Sequence, residues 1–110
     1  MNNEQINIAI ACVCGHLNVR VSESGTIIAS SGVTKEGGYY GTHGVPNYCK
    51  DLNAMHEAEK ILSEDQRSSY RFYLCEILDV QTGIDGWRVI NSTAMQRAEA
   101  FMRAIGKWEE

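Results

Sequence analysis

The residues best suited to chemistry gather in one stretch and its flank. Gly37-Gly38-Tyr39-Tyr40-Gly41-Thr42-His43-Gly44 reads as a flexible aromatic loop, and Pro46 to Lys60 leads from it into a helix. Two tyrosines set among glycines are poorly placed for a core. Their rings suit stacking on a planar base, and their phenols offer hydrogen bonds. His43, Asn47, Tyr48 and the helix start near Asp51–Asn53 add donors suited to phosphate or ribose. His56 and Asn53 fall on the polar side of that helix. The expected ligand-binding set is therefore Tyr39, Tyr40, His43, Asn47, Tyr48, Asn53 and His56. The competing reading is a surface loop that packs on a neighbouring subunit.

Other constellations carry less. Cys12, Cys14 and His16 bring sulfur and imidazole together, which invites zinc. The spacing is not that of a C-x-x-C knuckle, no second pair follows, and on a helix the two thiols would point about 200° apart. Buried cysteines acting as small hydrophobes are the expectation. His56-Glu57 resembles half of a zincin helix, but Lys60 stands where the second histidine would be. Cys49 with His56 or His43 could imitate a thiol and its base, although no spacing fixes that geometry. There is no P-loop, G-x-S-x-G or dinucleotide fingerprint. No catalytic residue, metal or cofactor is expected.

The elements that would position these residues follow from periodicity and caps. Asn3 can cap a first helix from Glu4 to about Cys14, with Ile6, Ala9, Ile10 and Val13 as its stripe and Gly15 as its stop. Leu17 to Ser22 alternates as a half-buried strand, with Leu17, Val19 and Val21 on one face. After the turn Glu23-Ser24-Gly25, Thr26 to Ser30 returns as the second arm of a hairpin. Ser31 to Tyr48 reads as a long connection with five glycines.

Pro46 suits a helix entry, Asp51 suits its cap, and Leu52, Met55, Ala58 (or Glu59) and Leu62 make the inward face. Ser63-Glu64-Asp65-Gln66 has capping-box form. The helix it starts carries Tyr70, Tyr73, Leu74, Ile77 and Leu78 on one face and ends near Asp79–Thr82. The run from Tyr70 to Tyr73 would also pass as strand. Trp87 to Ile90 reads as a third strand. Ser92 caps a last helix with Ala94, Ala98, Phe101, Met102 and Ile105 inside and Gly106 at its end. The order is α-β-β-α-α-β-α. It predicts one small α+β domain over residues 1–110, a three-layer α/β/α sandwich with a short antiparallel sheet covered by four helices.

Composition narrows the partners. With 110 residues and a net charge of −4, the chain holds no cluster of Lys or Arg, which disfavours duplex nucleic acid. A small anionic ligand needs only a few local donors. The run Ile8-Ala9-Ile10-Ala11-Cys12 is too short for a signal or a membrane span and follows Glu4 with no basic residue before Arg20. A cytoplasmic protein with reduced cysteines is expected.

Three stretches resemble the phage ABA-sandwich domain family of small bacteriophage proteins. They are Ile6 to Gly15, the Pro46–Lys60 segment centred on Asp51 to Lys60, and Ala94 to Trp108. His16, Asn47 and Lys50 depart from that pattern, where members often carry tryptophan, aspartate and asparagine. The resemblance implies an α/β/α sandwich and a phage origin, and it brings no established activity. In that setting the expected function is counter-defence inside an infected bacterium. The protein would sequester a nucleotide-derived immune signal as a sponge, without catalysis. The alternatives are a module binding a host or phage protein through the polar ridge of the main helix, and a small nucleotide-processing enzyme. Trp87, Trp108 and Tyr70 are more aromatic surface than a small core absorbs, so a homo-oligomer is expected.

Overall fold

A computed structural model of the chain describes residues 1–78 and 91–109. The described residues form a small α+β fold with four helices and a three-stranded antiparallel sheet. The elements are α1 Asn3–Val13, β1 Leu17–Val21, β2 Ile27–Val33, β3 Tyr39–Gly44, α2 Leu52–Glu59, α3 Glu64–Leu78 and α4 Ala94–Ala104. The expected strand at Trp87–Ile90, and the end of the third helix near Asp79–Thr82, lie outside the described residues. The glycine-tyrosine segment, expected as loop, is a strand paired with β2.

The helices begin where side chains satisfy their free N–H groups. Asn2, not Asn3, caps α1, because Gln5 three residues on closes a capping box with it. Asp51 caps α2 through the Ala54 N–H at 3.2 Å, as its position predicts. Ser63 and Gln66 form the expected box ahead of α3. At α4 the cap is Thr93, boxed with Gln96, while Ser92 is buried.

Ile6, Ile10, Met55, Leu74, Phe101 and Met102 are the largest fully buried side chains and form the core between the helices. Tyr70 joins this core, and Trp108 packs half-buried against it, so two of the aromatics expected at an interface are absorbed by the chain itself. Tyr70 also donates to Glu59 Oε1 at 2.5 Å, and Arg97 meets the same oxygen at 3.3 Å, tying α2, α3 and α4 together. Leu52, expected inside, is exposed at the first position of α2. Among the described residues α1 packs on the sheet, and α4 lies against α1, α2 and α3.

The sheet order is β1-β2-β3, so β2 is central. The alternation read over Leu17 to Val21 is broken by an irregularity between Leu17 and Arg20, where Asn18 takes a left-handed φ of 49°. Leu17 and Val21 consequently stay exposed. A tight turn joins β2 to β3, closed by Thr34 accepting on its carbonyl from Gly37 and on its hydroxyl from Gly38. Gly32 pairs with Tyr40, and the tyrosine ring lies where a β-carbon on Gly32 would stand. Gly41 has φ 68° and faces Ser31 closely, leaving no room for a side chain.

Candidate functional site

The loop between β3 and α2 is anchored by a residue of α1. Asn7 is buried; its Nδ2 donates to Asn47 Oδ1 at 2.9 Å, and its Oδ1 accepts the Cys49 N–H at 3.1 Å. This clamp holds Tyr48 at 3% exposure against the end of α1. Beside it opens a pocket of about 320 Å³, lined by Cys14, His16, Pro46, Tyr48, Ala54, Glu57, Ala58 and Ile61. The apolar part comes from Pro46 and one side of α2. The polar part comes from Cys14 and His16 just past α1, from Tyr48, and from Glu57, whose carboxylate also meets Lys60 at 2.9 Å.

Behind the pocket wall the polar groups continue in a line. His16 Nε2 lies 3.5 Å from the Tyr48 hydroxyl, and His16 Nδ1 lies 3.1 Å from His43 Nε2. The two imidazoles are tilted at 46° with centroids 5.3 Å apart. His43 Nδ1 is 3.3 Å from Ser31 Oγ, which donates to the Gly41 carbonyl at 2.7 Å. The cross-strand pairing of Ala29 with His43, and the close approach of Ser31 to Gly41, bring these groups to one face of the sheet.

Burial sets the charge of the pocket. It raises the proton affinity of the Cys14 thiol, and the Tyr48 hydroxyl offsets only part of this. Burial also lowers the His16 pKa, and the neighbouring His43 lowers it further. The Tyr48 phenol is pushed up by burial and then by Cys14. At neutral pH the wall therefore consists of an uncharged thiol, imidazole and phenol, with one carboxylate beside them.

The depressed His16 has a consequence for stability. Unfolded, an imidazole takes its proton near pH 6.5, whereas folded His16 takes it at lower pH. The stabilisation tied to neutral His16 is thus complete above about pH 6.5 and is lost progressively as pH falls below that value. The melting temperature of the wild type should drop more between pH 7.5 and 5 than that of His16→Gln. Parallel curves for the two proteins would show that His16 carries no such linkage.

Of the residues expected to bind ligand, Tyr48 lines the pocket and His43 stands one hydrogen bond behind its wall. Asn47 is turned to Asn7. Asn53 and His56 are exposed on α2, apart from the pocket-lining Ala54, Glu57 and Ala58. Tyr39 and Tyr40 are 52% and 58% exposed, and strand alternation places them on opposite faces of the sheet. Tyr39 shares the face of His43, whereas Tyr40 covers Gly32.

Cys12 is exposed and Cys14 half-buried, so neither is the buried hydrophobe expected from the sequence. Cys49 is buried with its thiol near the Asn3 carbonyl, and burial raises its pKa to about 11. His43 is engaged with His16 and Ser31, and neither it nor His56 is hydrogen-bonded to Cys49. Among the described residues no group of three or more His, Cys, Asp or Glu is arranged to hold a metal ion. No described helix is long and apolar enough to cross a membrane. Cys14, His16 and Glu57, which the sequence suggests only as metal-site residues, and Ser31 fall outside the expected ligand-binding set. The available signal was the meeting of His16 and His43, which required pairing β3 with β2. Comparison with protein-family models, curated proteins and solved structures gives no match to this chain.

Proposed function

We propose that this protein binds a small nucleotide-derived molecule and holds it unchanged, with one heterocyclic ring seated in the pocket beside Tyr48 and His16. The supporting observation is the pocket itself. Its volume of about 320 Å³ and its mix of an apolar floor with a few convergent polar groups are those of a small-molecule site. An uncharged wall beside Glu57 favours a neutral ring over a phosphate, so phosphates of the ligand would lie outside. The thiols support binding without chemistry. Cys14 and Cys49 both have raised pKa values, and the thiolate, not the thiol, is the nucleophile.

Tyr39 offers a second contact, about 13 Å from His43 along the strand, which only a ligand longer than one nucleoside would reach. Under this reading, Tyr39→Ala should weaken binding by about 1–3 kcal/mol while Tyr39→Phe keeps most of it, because the ring face survives. Tyr40→Ala should leave affinity nearly unchanged and act on the sheet around Gly32. Calorimetry on wild type and variants with cyclic dinucleotides and ADP-ribose-type molecules reads all three. No binding of any of these to the wild type would sink the proposal, and the exposed Asn53 and His56 of α2 would then recommend a protein partner. Chemical change of the ligand on incubation would turn the reading toward an enzyme.

In the phage setting that the family resemblance implies, holding such a molecule would silence the host defence it triggers. The proposal includes a homodimer through β3, at the edge of the sheet among the described residues, with Val33, Tyr39 and Tyr40 exposed at its pairing with β2. A light-scattering mass of one chain at micromolar concentration would remove that part.

A further inference from the structure

The line of groups behind the pocket has a direction. The Gly41 carbonyl can only accept, so Ser31 spends its single hydroxyl proton there at 2.7 Å. Ser31 Oγ is then left to accept from His43 Nδ1–H at 3.3 Å. With its proton on Nδ1, a neutral His43 has a bare Nε2, which accepts from His16 Nδ1–H at 3.1 Å. His16 Nε2 is bare in turn and lies 3.5 Å from the Tyr48 hydroxyl, whose other neighbour, the neutral Cys14 thiol, is the weaker acceptor, so the phenol proton goes to the imidazole. The phenol oxygen therefore offers lone pairs, and the carboxylate of Glu57, also in the lining, offers only lone pairs.

We infer that Ser31 and His43, which do not touch the ligand, fix the hydrogen-bond polarity of the pocket through His16 and Tyr48. The pocket then selects a heterocycle edge rich in N–H donors, such as the amino-imino edge of guanine. The ligand preference rests on the binding reading above; the polarity of the wall does not.

One added proton reverses the outer half of the line. A protonated pair still shares one N–H···N bond, but both outer nitrogens then carry hydrogen. His16 Nε2–H must donate to Tyr48, and the phenol proton is turned away from His16. A second proton would set N–H against N–H across 3.1 Å. The other titratable groups near the pair are Cys14 at the end of α1, Tyr48 ahead of α2 and Glu57 on α2. Arg20 lies on the opposite face of the sheet, bonded to the Asn18 carbonyl and Ser30.

Long-range ¹⁵N imidazole spectra of the ligand-free chain read the polarity directly. At pH 8 both His16 and His43 should be in the Nδ1–H form, and at pH 5 His16 Nε2 should gain hydrogen. Ser31→Ala removes one exposed oxygen and should mix the tautomers of both rings, while Ser31→Thr should restore them. Guanosine and inosine differ by one amino donor, and wild type at pH 8 should prefer guanosine by about tenfold, the effect of roughly one unmade hydrogen bond. The preference should shrink in Ser31→Ala and at pH 5. An Nε2–H tautomer for His16 at pH 8, or rings unmoved by Ser31→Ala, would overturn the inference. Spectra as expected with neither nucleoside bound would overturn the ligand preference together with the binding reading, leaving the polarity established.

Discussion

Met55→Ala should lower stability by about 2–5 kcal/mol, whereas Asn53→Ala and His56→Ala on the same helix should each change it by less than about 0.5 kcal/mol. Met55 is fully buried between helices, so truncation removes three heavy atoms and leaves a cavity that its packed neighbours fill only in part. Asn53 and His56 are exposed. The contrast bears on function because α2 has three sides: Met55 inside, Asn53 and His56 outside, and Ala54, Glu57 and Ala58 toward the pocket. Chemical denaturation of the three variants measures it. A loss at His56 equal to that at Met55 would mean that α2 is rotated from this placement, and the pocket wall with it.

The rotation of α2 was legible in the sequence because helix signals are local. Asp51 as cap, Met55 and Ala58 inside and the Ser63–Gln66 box can each be read within four residues. The slips among the helices are local too. Asn2 and Asn3, or Ser92 and Thr93, are equally able caps, and only the glutamine three residues on, Gln5 or Gln96, decides between them.

The sheet was harder to read. Glycines at 37, 38, 41 and 44 lower strand propensity, so β3 looks like loop, yet Gly41 is needed where φ is 68° against Ser31. Its strand character comes from pairing with β2, which no window of β3 contains. The site inherits that difficulty. His16 and His43 are 27 residues apart, and each reads differently alone, one as a zinc ligand and one as a loop donor. Folding makes them a pair. The same pairing splits Tyr39 from Tyr40, because adjacent strand residues face opposite ways.

Asn7→Leu, which keeps the branching of the side chain but is bulkier, should cost at least about 1–3 kcal/mol, because it strands a buried donor and crowds the site rather than opening a cavity. The Cys49 N–H reaches Asn7 Oδ1 at 3.1 Å in a buried bond, and leucine offers it no acceptor. Asn47→Ala deletes the other half of the clamp and should cost less, about 0.5–1.5 kcal/mol, since Asn47 is exposed and water can replace it. The two variants should also differ at the pocket. Asn7 fixes the backbone directly after Tyr48, so Asn7→Leu should release the Tyr48 ring and shift the His16 imidazole signals, which Asn47→Ala should leave near their wild-type positions. Denaturation midpoints and imidazole spectra separate the two effects. Equal losses and unmoved His16 signals in both variants would show that the loop is held by its own turn, in which the Lys50 and Asp51 N–H groups bond the Asn47 carbonyl. The clamp from α1 would then be an accessory to that turn, and the position of Tyr48 a property of the loop alone.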